Sequence, residues 1–415
     1  MLATCTSQKK DVHVIFNIRR GIIRVSNHLK YTCLFGGGAI RGLAYVGAIR
    51  ALEELNIEFD IIGGSSVGSI FAALLACGYK SYELENLFMK VNFELFRDIH
   101  LGFGKGLGLS KGEIFIDWLN ELITQKFEKK TNKHITFSEL EKKLVIITTN
   151  LRNFNTQEFS RYKTPDFEIA KSIRISSSMP GLMPPYKYNG ADLVDGDLQK
   201  ASPMWRLSDT LDHSESRILE FRLEGDCTNE AKSPISFINT IYSCVTDVAT
   251  DFVTEIYGEN DKYDCIRINT GNIFFADFNL NKEARRKLIN SGYEQTMYYF
   301  KEVLPKKKEN LKKVYTGILK YLKKAYKGLK SGDVEEVQWW LGDLFILLCE
   351  NKEIIDKSLY ENIVNLKNLI LNSISTVLFF HTRFKDQKTL EKEMKQTINI
   401  ISVHLDDIKL FLQCT

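Results

Sequence analysis

The sequence lacks the patterns of a metal or disulfide protein. Its eight cysteines are scattered over 415 residues without a C-x-x-C pair, and neither H-E-x-x-H nor a cluster of Cys and His ligands occurs. A zinc site or a disulfide framework is therefore not expected, no metal or other cofactor is implied, and a reducing, cytoplasmic compartment is the expectation. Net charge is small too: 56 Lys and Arg against 52 Asp and Glu leave a formal +4, which argues for no particular partner and gives no sign of nucleic-acid binding. An early apolar run is missing, because Lys9, Lys10 and Asp11 interrupt the start and Arg19-Arg20 follow, so no signal peptide is read. The uncharged run Ile61–Tyr79 is long enough to suggest a membrane span, but its first half is a glycine-serine turn and the apolar remainder is too short to cross. The expectation is a soluble protein, at most peripheral on a membrane.

What is present is an ordinary globular composition, 44% hydrophobic and 26% charged, in a chain long enough for two or three domains. Residues 1–29 read as an N-terminal extension, with strands around His13–Ile18 and Ile22–Val25. From residue 30 to 303 strands and helices alternate. Tyr31–Phe35 is a strand ending in Gly36-Gly37-Gly38, and Arg41–Leu55 carries apolar residues at helical spacing. Phe59–Ile62 is a strand running into Gly63-Gly64-Ser65-Ser66, and Ile70–Cys77 is the helix after it. Further elements are a glycine-rich loop at Gly102–Gly108, the helix Lys111–Phe127, strands at Leu144–Leu151 and Glu158–Tyr162, and the helix Phe167–Ile175. A short strand at Ala191–Val194 then precedes strands at Ile218–Leu223 and Cys265–Asn269, which flank a helix at Ile235–Tyr257. Residues 304–415 read as a separate helical domain. Strand–turn–helix units in succession imply a parallel sheet with helices on its faces.

Three motifs carry chemistry. Gly64-Ser65-Ser66-Val67-Gly68 is G-x-S-x-G between a strand and a helix, a tight turn that exposes a serine hydroxyl at the end of the strand and needs small neighbours. Ser66 is the candidate nucleophile; the same glycines also suit a phosphate-binding helix start or a plain tight turn. Gly36, Gly37 and Gly38 can turn backbone N–H groups inward as an anion-binding nest, which beside Ser66 forms an oxyanion hole. Arg41 either stiffens that loop or meets a lipid phosphate. A dinucleotide loop is the rival, but G-x-G-x-x-G is matched only loosely and no acidic residue closes a second strand at the right distance. Asp195-Gly196, after the strand Ala191–Val194, supplies a carboxylate base, with Gly196 permitting the turn that aims it. Histidines are candidates as well, and His213, His381 and His404 follow Asp195 as the histidine of an ordinary α/β-hydrolase would.

These residues resemble the patatin-like phospholipase family. GGGAIRG is similar to its G-G-G-x-[RK]-G loop, GSSVG to its G-x-S-x-G elbow and DGD to its D-G-[AG] acid motif. The linking text GLGLSKGEIFIDWLNELI, ITFSEL, SSSMPGLMPPYKYNGADLVDGD and SGYEQT is similar too, over residues 30–303. The resemblance implies a three-layer α/β/α domain with a mostly parallel central sheet, and hydrolysis of acyl esters of phospholipids or other glycerolipids without a metal. It implies a Ser66–Asp195 dyad without histidine and oxyanion donors at Gly37 and Gly38. Gly36, Arg41 and Gly42 then shape the loop, and Gly64, Gly68 and Gly196 shape the turns. Asp197 departs from the family's Gly or Ala; it either raises the basicity of Asp195 or turns outward and does nothing. The competing functions are a histidine-dependent acyltransferase (through His100, His134 or His213), a lipase toxin or effector switched on by a partner protein or signal, and a non-catalytic lipid-binding protein.

The tail adds one more expectation. Residues 301–330 hold 11 lysines and two glutamates. Within Leu311–Lys330, Leu311, Val314, Tyr315, Ile318, Leu319, Leu322, Ala325, Tyr326 and Leu329 share one face, while Lys312, Lys313, Lys320, Lys323, Lys324, Lys327 and Lys330 take the other. Such a helix either lies in the headgroup region of an anionic membrane or packs its apolar face on Val337–Leu348.

Overall fold

Two strands that end in glycine set the frame. β1 (Lys30–Phe35) and β2 (Glu58–Gly64) run parallel, with Cys33 opposite Ile62 and Phe35 opposite Gly64. β7 (Arg217–Glu224) flanks β1 on its other side, β8 (Tyr263–Asn269) lies beyond it, and β3 (Lys143–Asn150) lies beside β2, all parallel. The computed structural model that shows this describes residues 30–97, 112–127, 134–198, 217–225, 263–274, 277–331 and 333–352, with scattered positions in 237–244 and 355–371. The chain divides into two compact units, Leu29–Pro305 and the part from Lys306 onward.

The first unit holds a mixed sheet with helices on both sides, in the order β5-β6-β3-β2-β1-β7-β8, with β4 (Asn155–Ser160) also on β3. The three antiparallel pairings all lie on the β3 side: β4 and β6 (Ala191–Val194) on β3, and β5 (Tyr186–Tyr188) on β6. The sequence reading did not anticipate β5. Its signal is Asn189-Gly190, whose φ angles of 47° and 74° suit the two-residue turn that twisted hairpin strands prefer. The central strands bury mostly apolar side chains, Leu34 and Phe35 of β1, Ile62 of β2 and Ile146 and Ile147 of β3 among them, as strands covered on both faces do. Their core includes Phe35 stacked on Phe221 at 5.3 Å, with the Tyr45 ring edge-on to Phe35 at 5.1 Å.

The helices follow the apolar spacing closely. α1 (Ala44–Glu54) begins after a 3-10 turn at Ala39–Leu43 and buries Tyr45, Val46, Ile49 and Leu52. α2 (Val67–Ala76) starts at the end of the β2 turn, α3 (Ser81–Phe88) was not expected, and α4 (Glu113–Gln125) and α5 (Ile169–Ser176) fall within two residues of the expected helices. α6 (Lys282–Tyr298), capped by the Asn281 side chain accepting from Ala284 N–H at 2.8 Å, packs along α1. The expected strands at 13–18 and 22–25, the loop 102–108, most of the helix 235–257, and His100, His213, His381 and His404 lie outside the described residues.

In the second unit α7 (Leu304–Ser331) buries Leu311, Tyr315, Ile318 and Leu322 with Val337, Leu341, Leu344 and Leu348 of α8 (Val334–Glu350). This favours packing over insertion: the apolar arc of α7 is already covered, while Lys312, Lys313, Lys320, Lys323 and Lys327 remain exposed. Lys324 instead lies over the Trp340 ring, 3.5 Å from its centre. Among the described residues no helix is long and apolar enough to cross a membrane.

Candidate active site

Ser66 sits where β2 gives way to α2, with φ 50° and ψ −131°. A non-glycine residue there costs about 1–3 kcal/mol and persists only where its surroundings hold it. Here they do. Ser66 N–H donates to Ser176 Oγ at 3.0 Å, and Ser176 Oγ–H in turn donates to the Ile147 carbonyl at 2.6 Å. Ser65 N–H donates to the Phe35 carbonyl at 3.1 Å, while Ser69 Oγ–H donates to the Ser66 carbonyl at 2.5 Å. The flanking glycines answer to space: a Cβ on Gly64 would lie 2.7 Å from Ser69 N, and one on Gly68 would lie 2.6 Å from the Gly36 carbonyl oxygen. The elbow is thus clamped between β1 and its own helix.

The serine's proton points at a carboxylate. Ser66 Oγ donates to Asp195 Oδ2 at 2.7 Å. Asp195 follows β6 and is fully buried; its N–H donates to the Ser178 carbonyl at 3.0 Å, and its Oδ1 accepts the Asp197 N–H at 3.0 Å. A carboxylate so held has a fixed orientation, and a hydroxyl bonded to it is poised to lose its proton as a new bond forms at oxygen. Gly196 is required between the two acids because a Cβ there would meet the Ile147 backbone and, at 3.0 Å, Ser65 Cβ.

Asp197 does not turn outward. Its side chain is buried; it accepts the Ser65 hydroxyl, and its Oδ2 lies against Gly37, whose main chain favours the ionised carboxyl. Burial pushes its carboxyl above the usual range, against the opposing pull of Arg222, the Ser65 hydroxyl and the Gly37 main chain, with Glu220 adding to the rise. Arg222 Nη2 pairs with Glu220 Oε1 at 2.6 Å, and Tyr263 Oη donates to Glu220 Oε2 at 2.7 Å. Burial works against the Arg222 charge, but Glu220 and Asp197 outweigh it and hold the guanidinium protonated.

The triple-glycine loop lies beside this cluster. Gly36 N–H donates to the Phe221 carbonyl at 3.0 Å and its carbonyl accepts Tyr45 Oη at 2.9 Å. Gly38 has φ 139° and Ala39 φ 48°. Arg41 N–H and Nε both donate to the Gly38 carbonyl, at 3.2 and 3.4 Å. Gly42 packs against Val67, where a Cβ would lie 2.9 Å from Val67 Cγ1.

The structure therefore brings Ser66, Asp195, Gly36–Gly38 and their shaping residues into one place. His134 is not among them; it is exposed, with Nδ1 3.6 Å from Glu168 Oε2. Ser65, Ser176, Glu220 and Arg222 were not singled out from the sequence. Ser176 was hidden in a serine run, but Glu220 and Arg222 had a signal: two charges inside the apolar strand RILEFRLE. Among the described residues no group of three or more His, Cys, Asp or Glu is placed to hold a metal ion.

Residues 34–205 match the family model described as patatin-like phospholipase. Over 275 residues the chain is 31% identical to the uncharacterized protein R571 of Acanthamoeba polyphaga mimivirus, covering 64% of this chain and 92% of that one. It is 29% identical over 179 residues to the probable lipid hydrolase 463L of Invertebrate iridescent virus 6, covering 42% of this chain and 61% of the relative. The crystal structure of VipD from Legionella pneumophila superposes with a TM-score of 0.49 at 15% identity, covering 92% of this chain and 90% of that one. The chain belongs to the patatin-like phospholipase family.

Proposed function

We propose that this protein hydrolyses the acyl esters of phospholipids or related lipids through Ser66 and Asp195. The observation that carries the reading is the 2.7 Å bond from Ser66 Oγ to Asp195 Oδ2 at the strained elbow. Ser66 Oγ attacks the ester carbonyl carbon while its proton passes to Asp195. The carbonyl oxygen becomes an oxyanion beside the Gly36–Gly38 loop, and the tetrahedral intermediate collapses as the lipid alcohol departs with the proton from Asp195. Water then attacks the acyl-Ser66 ester, again giving its proton to Asp195, and the fatty acid leaves as Ser66 recovers its proton. A carboxylate is a weak base for a hydroxyl, so most of the rate enhancement falls to alignment and to the oxyanion donors, each worth about 2.7–4 kcal/mol. The family membership and the relative named a probable lipid hydrolase support a lipid substrate. The exposed lysines of α7 support attraction to anionic lipid without insertion.

The test combines a fluorophosphonate probe with a mixed lipid panel read by mass spectrometry. Probe labelling at Ser66 and fatty-acid release that are both lost in Ser66→Ala support the proposal. Release by Ser66→Ala at the wild-type rate overturns it.

A further inference from the structure

The acid motif carries a second carboxylate that the mechanism above does not use. Asp197 accepts the Ser65 hydroxyl, its own N–H donates to Asp195 Oδ1, and its Oδ2 lies against Gly37 of the glycine loop. A Cβ on Gly37 would fall on Asp197 Oδ2, 2.8 Å from its Cγ and 3.0 Å from Ser66 Cβ, so this oxygen lies against the loop beside the serine. Arg222 lies against the same loop, where a Cβ on Gly36 would be 2.7 Å from its Nη1, and its charge favours the ionised Asp197 carboxyl. A donor already bonded to a carboxylate is not available to an oxyanion, and a negative charge next to a forming negative charge opposes it.

We infer that Asp197 is a brake on this site: its carboxylate engages the Gly37 N–H in the resting protein, and turnover requires the carboxylate to give that donor up. The inference rests on the proposed roles of Ser66 and the Gly36–Gly38 loop. Groups facing Asp197 are Arg222 and Glu220 from β7, Tyr45 from α1 and Asp195 from its own turn. Burial raises its carboxyl, so mild acid neutralises it before an ordinary aspartate and weakens the brake.

The experiment measures hydrolysis of a soluble p-nitrophenyl acyl ester by the full chain and by Asp197→Ala and Asp197→Asn, from mildly acidic to mildly alkaline pH. In Asp197→Ala, kcat is expected to rise about tenfold or more at alkaline pH with KM little changed. The ratio to wild type should shrink toward acid, and Asp197→Asn, uncharged but still an acceptor, should fall between. Equal or lower kcat in a folded Asp197→Ala overturns the brake; if that variant fails to fold, absence of any gain in Asp197→Asn overturns it instead. Adding Ser66→Ala separates the two claims. If it abolishes the gain, both stand; if the double variant still turns over, the Ser66 reading fails and the brake with it.

Discussion

The contact between α1 and α6 offers a sharp test of packing. Gly47 and Gly292 face each other across it: a Cβ on Gly47 would lie 2.7 Å from Tyr293 N and 2.8 Å from the Ile289 carbonyl carbon, with the carbonyl oxygen nearer still. A Cβ on Gly292 would lie 2.7 Å from the Ala44 carbonyl carbon and 3.2 Å from Ala48 N. Alanine at an open helical position gains about 1 kcal/mol over glycine. In Gly47→Ala, however, the methyl meets main chain that cannot rotate away, so the helices must part by roughly an ångström, at the upper end of the usual overpacking cost of about 3 kcal/mol. The net loss is about 2 kcal/mol, a fall in Tm of about 4–8 °C for a unit of this size. Gly292→Ala should do the same, and the double variant should lose less than the sum, because one separation makes room for both methyls. Gly342→Ala on α8, where a Cβ would meet nothing within 4 Å, is the control and should be neutral or stabilising. Thermal melts followed by circular dichroism decide it: a Gly47→Ala protein that melts at or above wild type refutes the close-approach argument.

Asp195→Asn is expected to lower ester hydrolysis about a thousandfold or more, and the Ser66→Ala/Asp195→Asn double variant to be little worse, since the pair acts as one unit; stopped-time product assays on folded proteins check this. Changing Lys320, Lys323 and Lys327 to Glu, while leaving Lys324 on Trp340, should reduce cosedimentation with anionic vesicles and leave soluble-ester turnover intact. Unchanged cosedimentation would show that the lysine face is merely solvated. Burial pushes the Cys33 thiol well above its ordinary range and Cys77 up to about 12, so at pH 8 both remain protonated. Iodoacetamide should therefore modify exposed Cys349 well before either, as peptide mass mapping would reveal.

The motifs were legible because each has an unusual residue requirement. Three glycines after an apolar strand, or a serine between glycines at a strand end, answer to close backbone approach, and that constraint shows directly in the letters. The alternation from Tyr31 to Cys77 likewise pointed to β1, α1, β2 and α2 within a few residues. What stayed hidden depends on long-range partners. The direction of β4, β5 and β6 follows from turns and pairing with β3 rather than from period. Asp197 faces inward because Gly37 and Ser65, far from it in the chain, meet it there, with the charge of Arg222 favouring its carboxylate. The lysine-rich helix reads the same whether α8 or a bilayer covers its apolar side, and only the packing of Leu311, Ile318 and Leu322 on Val337, Leu341 and Leu344 separates the two.

The elbow contains two adjacent serines, and each is matched with its own acid: Ser65 with Asp197, Ser66 with Asp195. Which hydroxyl faces which carboxylate is a matter of strand register. Phe35 stands opposite Gly64, and the Phe35 carbonyl takes the Ser65 N–H, so Ser65 completes the ladder while Ser66 is the first residue beyond it. A slip of one residue between β1 and β2 would put one serine where the other now stands and reverse every side chain of β2 between the two faces of the sheet. The alignment of two backbones, more than the identity of either side chain, thus selects between two chemically equivalent hydroxyls.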